Sequence, residues 1–196
     1  MKKTETSNAQ ASAIGPGRLI LVIGPSGAGK DTLLGLARTA CAGEDDIVFA
    51  RRAVTRESSC FEDNAELSAE AFQEALARGD FAVHWQAHGH RYGLPRAIED
   101  DIRAGRTVVA NVSRTVVEAM RRAYANVVVA AVTAPADVLA SRLATRARRS
   151  DGAMEQRLER VAADAAEPDA TIFNVGSAEF HARQLVQIIK GNGPGQ

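Results

Sequence analysis

Arg18-Leu19-Ile20-Leu21-Val22-Ile23-Gly24-Pro25-Ser26-Gly27-Ala28-Gly29-Lys30-Asp31 is the stretch that decides the fold. Its first six residues are a short, mostly apolar run that stops at a glycine, the pattern of a strand buried on both faces of a parallel sheet. The next seven fit the phosphate-binding loop GxxxxGK, and Asp31 then stands where Ser or Thr is usual. Glycines let backbone N–H groups turn inward around a phosphate. The helix that follows, expected over Ala28–Thr39, adds its partial positive charge. Gly24, Pro25, Ser26, Gly27, Ala28, Gly29, Lys30, Asp31 and Thr32 are therefore the candidate nucleotide-binding residues, with Lys30 reaching the β- and γ-phosphates. The chain's other lysines, Lys2, Lys3 and Lys190, lie in its terminal segments, and the body uses arginine throughout. A compact ammonium on a flexible stem suits the loop better than a planar guanidinium does.

Outward from this loop, strands and helices alternate. Strands are expected at Ile47–Phe49, Phe81–Trp85, Thr107–Val112, Asn126–Val132 and Thr171–Asn174. Helices are expected from Ser68 to Gly79, from Pro95 to Arg103, over Arg114–Ala123, from Pro135 to near Arg149, and over Met154–Ala166 and Glu179–Ile189. Such alternation predicts an α/β fold: a P-loop NTPase of three layers, α/β/α, around a mostly parallel five-stranded sheet. At 196 residues the chain fits one kinase domain, 17–190, after a disordered lead-in at 1–16 and before a short tail at 191–196. Its 24 basic and 24 acidic residues cancel, leaving no net field to recruit nucleic acid or a membrane surface. No apolar run is long enough to span a bilayer. Cys41 and Cys60 cannot make a disulfide framework, which points to a reducing cytoplasm.

The NKxD string that reads guanine in GTPases does not occur, and no strand ends in the aspartate of a standard Walker B motif. Three histidines, His84, His88 and His90, invite a zinc reading. Structural zinc usually takes four ligands, and the cysteines stand far off with no CxxC pairing. Arg142, Arg146 and Arg149 recur at i, i+4 and i+7, on one face of a helix. A solvated basic face and a cationic lid over nucleotide phosphates both account for that spacing.

Beyond the loop the chain carries Val54-Thr55-Arg56, Glu62-Asp63-Asn64, Tyr92-Gly93, Asn111-Val112-Ser113-Arg114, Arg142-Leu143-Ala144-Thr145-Arg146, Gln156-Arg157-Leu158 and Ile172-Phe173-Asn174. In that order and spacing, over about residues 18–190, it resembles guanylate kinases. It is closer still to their relatives, the ribose 1,5-bisphosphate phosphokinases of phosphonate breakdown. The resemblance implies an acceptor-binding flap over 55–92 and an Arg-rich lid over 142–157. It also implies ATP and Mg²⁺ as cofactors and a phosphorylated sugar as acceptor, in a monomer or homodimer. Arg56, Glu62, His84, Tyr92, Gly93, Asn111, Ser113 and Arg114 become acceptor-binding candidates. Arg146 and Arg157 join Lys30 as catalytic cations, Arg142 and Asn174 approach the nucleotide, and Asp31 meets the metal. Bland readings stand beside several of these: Tyr92 as a packed core residue, Asn174 as a strand-end turn, Asp31 as a helix cap.

The departures from guanylate kinase bear on the acceptor. The second arginine for the GMP phosphate, three residues after Arg56, is Ser59. The tyrosine expected near 65–67 is missing. The two carboxylates that read guanine fall at His84 and Asn111, and a neutral side chain cannot accept from guanine's two N–H groups as a carboxylate does. The implied reaction is therefore ATP plus ribose 1,5-bisphosphate giving ADP plus 5-phosphoribosyl 1-diphosphate, with a nucleoside-monophosphate kinase as the alternative.

Overall fold

A computed structural model describes residues 12–57, 63–147 and 167–191. The apolar run before the P-loop is β1 (Arg18–Ile23), and its last five residues are almost entirely excluded from solvent. It pairs in parallel with β7 (Thr107–Asn111) on one side and β8 (Val127–Thr133) on the other. β2 (Ile47–Phe49) extends the sheet beyond β7, and β9 (Ala170–Phe173) extends it beyond β8. The order is β2-β7-β1-β8-β9, five strands all parallel.

Alternate residues of β1 divide the core. Leu19, Leu21 and Ile23 face a layer built from α3 (Ile98–Arg103), a 3₁₀ turn at Arg114–Val116 and α4 (Val117–Ala123). Ile20 and Val22 face α1 (Lys30–Ala40), α5 (Ala136–Ala147) and α6 (Ala178–Ile189). With a sheet buried on both sides, a strand needs apolar residues at every position. This is the α/β/α sandwich expected from the alternation of elements.

A second, four-stranded sheet stands beside the first in the order β4-β3-β6-β5. It contains β3 (Ala53–Val54), β4 (Ala65–Glu66), β5 (Phe81–Ala87) and β6 (His90–Pro95), with α2 (Ala69–Arg78) packed through Phe72 against Phe81. Ser68 caps α2 by accepting from Ala71 N, and Gly79 closes it in the left-handed conformation. Two sequence expectations change here. Pro95 ends β6 instead of opening a helix: it lacks an N–H for the ladder and so suits a strand terminus, and α3 begins only at Ile98. Order also begins before residue 17, since Ile14 bridges to Tyr124 and takes the Ala125 N–H on its carbonyl. Burial, with Glu99 nearby, pushes the Tyr124 phenol up to about 12, so it stays neutral in the core.

Gly93 and Gly35 make opposite demands. A Cβ on Gly93 would stand 2.5 Å from the Phe81 ring, whereas one on Gly35 inside α1 would meet nothing within 4 Å. Gly93→Ala should therefore lower the unfolding free energy by about 1–3 kcal/mol through overpacking. Gly35→Ala should raise it by about 0.5–1 kcal/mol through helix propensity. Urea midpoints check both, and equal midpoints for the two variants would contradict this packing.

Candidate active site

β1 ends at Gly24, whose φ of +146° no residue with a side chain adopts readily; a Cβ there would also strike the Val132 carbonyl. Gly27 and Gly29 follow at φ +85° and +86°, turning the peptide units of the loop before α1 starts at Lys30. Lys30 lies back across the loop, with Nζ donating to the carbonyls of Gly24 at 2.8 Å and Pro25 at 3.0 Å.

The loop is braced from outside. Asn174, only 4% exposed at the end of β9, donates from Nδ2 to the Ala28 carbonyl at 2.7 Å. A Cβ on Gly29 would collide with that amide at 2.4 Å. Arg142 of α5 donates to the Asn174 carbonyl at 3.0 Å and to the Gly27 carbonyl at 3.4 Å. Asn174 and Arg142, expected to approach the nucleotide, hold the shape of its loop. Leu139 and Leu143 bury the same face of α5, which turns the Arg142 side chain toward the loop.

At the eighth loop position the Asp31 carboxylate points sideways, along α1. Asn111, at the end of β7, donates from Nδ2 to Asp31 Oδ1 at 2.9 Å. Of the two ends of the Asn111 amide only the N–H₂ can donate to a carboxylate, so this bond fixes the amide's orientation. It leaves the buried Asn111 Oδ1 without a hydrogen-bond partner among the described residues. Arg52, 13% exposed, stands beside them: Nε donates to Asn64 Oδ1 at 2.9 Å, Nη1 to the Asn111 carbonyl at 3.4 Å, and Nη2 lies 3.9 Å from Asp31 Oδ1. These residues line a cavity of about 80 Å³ that runs down α1 past Gly35 to Arg38. At its far end Asp63 lies between Arg38 and Arg51, and the Arg38 hydrogen bond holds its carboxyl below the usual range.

Tyr92 of β6 is 7% exposed and stacks on Trp85 with ring centroids 5.5 Å apart. Two guanidiniums share its ring, Arg52 at 5.5 Å and Arg56 at 6.0 Å from the centroid. Arg56 also donates from Nε to the Tyr92 hydroxyl at 3.3 Å. Two arginines thus stand beside a tyrosine hydroxyl, an arrangement whose chemistry suits a phosphate group.

No family model matches the chain. It is 64% identical over 182 residues to the ribose 1,5-bisphosphate phosphokinase PhnN of Bradyrhizobium diazoefficiens, 92% of each chain being covered. It belongs to the ribose 1,5-bisphosphate phosphokinase family. The protein of that name from Rhodopseudomonas palustris is 61% identical over 181 residues, again with 92% of each chain covered. A guanylate kinase from Anaplasma phagocytophilum shares the fold, with a TM-score of 0.62 at 21% identity over 92% of this chain and 88% of that one.

Within this frame the remaining candidates separate. Ser113 and Arg114 lie just past β7, two and three residues beyond Asn111; Ser113 caps the 3₁₀ turn by accepting from Thr115 N. Thr32 is exposed on α1, one position off the Asp31 face. His84 is not brought to the cavity. Strand alternation puts it on the opposite face of β5 from Trp85 and Tyr92, where it is exposed near Gln73, Gln86 and Arg91. Gly93 serves the packing of Phe81, as its absent Cβ shows. No cluster of three or more metal-ligating His, Cys, Asp or Glu occurs among the described residues. Arg146 is on α5. Glu62, Ser59, Arg149, Arg157 and the helix expected over Met154–Ala166 lie outside the described residues.

Sequence reading passed over Arg52 and the role of Asn64. Arg52 stands four positions before Arg56, on the edge of a two-residue strand too short to show alternation. Its one signal was a dibasic Arg51-Arg52 pair ahead of the Val-Thr-Arg segment.

Asn174→Ala removes the donor to a buried carbonyl and should cost about 1–3 kcal/mol of stability. It should also weaken ATP and GTP binding by the same factor, since the loop is common to both. Calorimetric affinities for the two nucleotides check this, and a changed ATP-over-GTP preference at unaltered melting temperature would make Asn174 a reader of the base.

Proposed function

We propose that this chain transfers the γ-phosphoryl group of ATP to the 1-phosphate of ribose 1,5-bisphosphate, releasing ADP and 5-phosphoribosyl 1-diphosphate. The observation that carries this reading is the 64% identity, spread over 92% of both chains, to a phosphokinase named for that acceptor. The geometry supports it against GMP. Asn111 is committed to Asp31 through its N–H₂, and His84 faces away from the cavity. No carboxylate is therefore placed at either position to accept from guanine.

The chemistry asks little of the protein beyond placement and charge. An acceptor phosphate has a second pKa near 6 and is largely dianionic at pH 7, so no general base is required. One of its oxygens bonds to the γ-phosphorus while the bond from that phosphorus to the β–γ bridging oxygen breaks, and ADP takes the electron pair. Lys30 exchanges its two loop carbonyls for phosphate oxygens. Arg56 and the Tyr92 hydroxyl grip the acceptor, and Arg146 and Arg157 bring further cations to the nucleotide.

Magnesium fits the residues present. Asp31 supplies a carboxylate and Asn111 Oδ1 a buried oxygen without a protein donor, and Mg²⁺ takes oxygen ligands and keeps several waters. When bound, it neutralises developing charge on the bridging and γ-oxygens. No helix among the described residues is long and apolar enough to cross a membrane.

A coupled ADP assay with ribose 1,5-bisphosphate, ribose 5-phosphate, GMP, AMP and no acceptor tests the reading. Turnover should require ribose 1,5-bisphosphate, and Lys30→Ala should cut kcat by at least about a hundredfold while the melting curve stays normal. Comparable kcat/KM for GMP would leave a nucleoside-monophosphate kinase instead.

A further inference from the structure

We infer that Arg52 is a second guanidinium on the attacking phosphate, doing from β3 what the residue three places after Arg56 cannot do here. That place is Ser59, so the Val54-Thr55-Arg56 segment brings one arginine to the acceptor and no partner for it. Two phosphate dianions must nevertheless approach within bonding distance, and their repulsion has to be offset by cations at the meeting point.

Arg52 is built for that place. Asn64 accepts from Nε at 2.9 Å, which sets the plane of the guanidinium from behind. Nη2 is turned toward Asp31, 3.9 Å from Oδ1, at the loop position that borders the nucleotide. The cation also shares the Tyr92 ring with Arg56, so the two lie within one phosphate-binding neighbourhood. The cavity that Arg52, Asp31, Asn64 and Asn111 help to line is about 80 Å³. On that measure a single water needs about 10–15 Å³, so the cavity has room for small polar groups such as phosphate oxygens beside Arg52. A rigid fork beside the P-loop, on a cavity that admits small polar groups, matches the acceptor group that must reach the γ-phosphorus.

The assignment rests on the proposed acceptor only for the name of the sugar. Its test uses inhibition constants for ribose 1-phosphate and ribose 5-phosphate, measured with wild type, Arg52→Met and Arg52→Lys. Melting temperatures confirm folding, and Arg52→Lys keeps the charge if Arg52→Met is unstable. The expected result is a loss of about 10- to 100-fold for ribose 1-phosphate in Arg52→Met, a smaller loss in Arg52→Lys, and little change for ribose 5-phosphate. kcat/KM for ribose 1,5-bisphosphate should fall in step with the ribose 1-phosphate constant. A loss confined to ribose 5-phosphate, an equal loss for both, or no loss for either overturns the inference. If wild type turns over ribose 1,5-bisphosphate normally while any of these occurs, the inference alone fails. If wild type ignores that acceptor, the function fails first.

Discussion

Asn111 Nδ2 donates to Asp31 Oδ1 over 2.9 Å, and through this bond the end of β7 is tied to the first turn of α1. β7 and β1 are neighbours in the sheet, so the P-loop that leaves β1 and the cavity at the end of β7 keep a common reference. Arg52 extends the tie to the small sheet, meeting the Asn111 carbonyl and Asn64 from the start of β3. A carboxylate at the eighth loop position thus joins the P-loop to the end of β7 and, beside Arg52, to the small sheet. Serine or threonine there would offer magnesium a neutral hydroxyl but give Arg52 no counter-charge.

The loop depends on bracing of a different kind. Its backbone conformation is possible only because glycine occupies the positive-φ positions, and one of them must also admit the Asn174 amide. A buried side-chain donor on a backbone carbonyl is costly to lose. Arg142 and Asn174 brace the loop through its backbone carbonyls.

The main sheet was legible because parallel strands buried on both faces read as unbroken apolar runs, and β1 and β2 fall where those runs do. α2 was legible from Ser68 and Gly79, one a side-chain cap and the other a left-handed stop. Of the small sheet only β5 was, as the strand expected at Phe81–Trp85. β3 and β4 have two residues each, and β6 opens with His90-Arg91-Tyr92-Gly93, too polar to register as a strand until its pairing with β5 is seen. Lys30 and Asp31 were legible as candidates from the loop pattern, whereas Arg56, Tyr92 and Asn111 became candidates only through the family resemblance. Which face a strand residue occupies was not. His84 and Tyr92 read alike as flap residues, and only the register, His84 opposite Gly93 and Trp85 opposite Tyr92, sends them to opposite sides.

The central claim is that the Asp31 carboxylate does charged work at the metal and is more than a favourable residue at a helix N-terminus. Asp31→Asn retains an oxygen for the Asn111 N–H₂ and removes only the charge. The direct measurement is the Mg²⁺ concentration giving half-maximal ATP binding, by calorimetry, alongside the half-saturating Mg²⁺ for turnover and the melting temperature. The account predicts a rise of about tenfold in both Mg²⁺ values with the melting temperature nearly unchanged. Unaltered Mg²⁺ dependence in Asp31→Asn would contradict it and leave Asp31 as a helix cap.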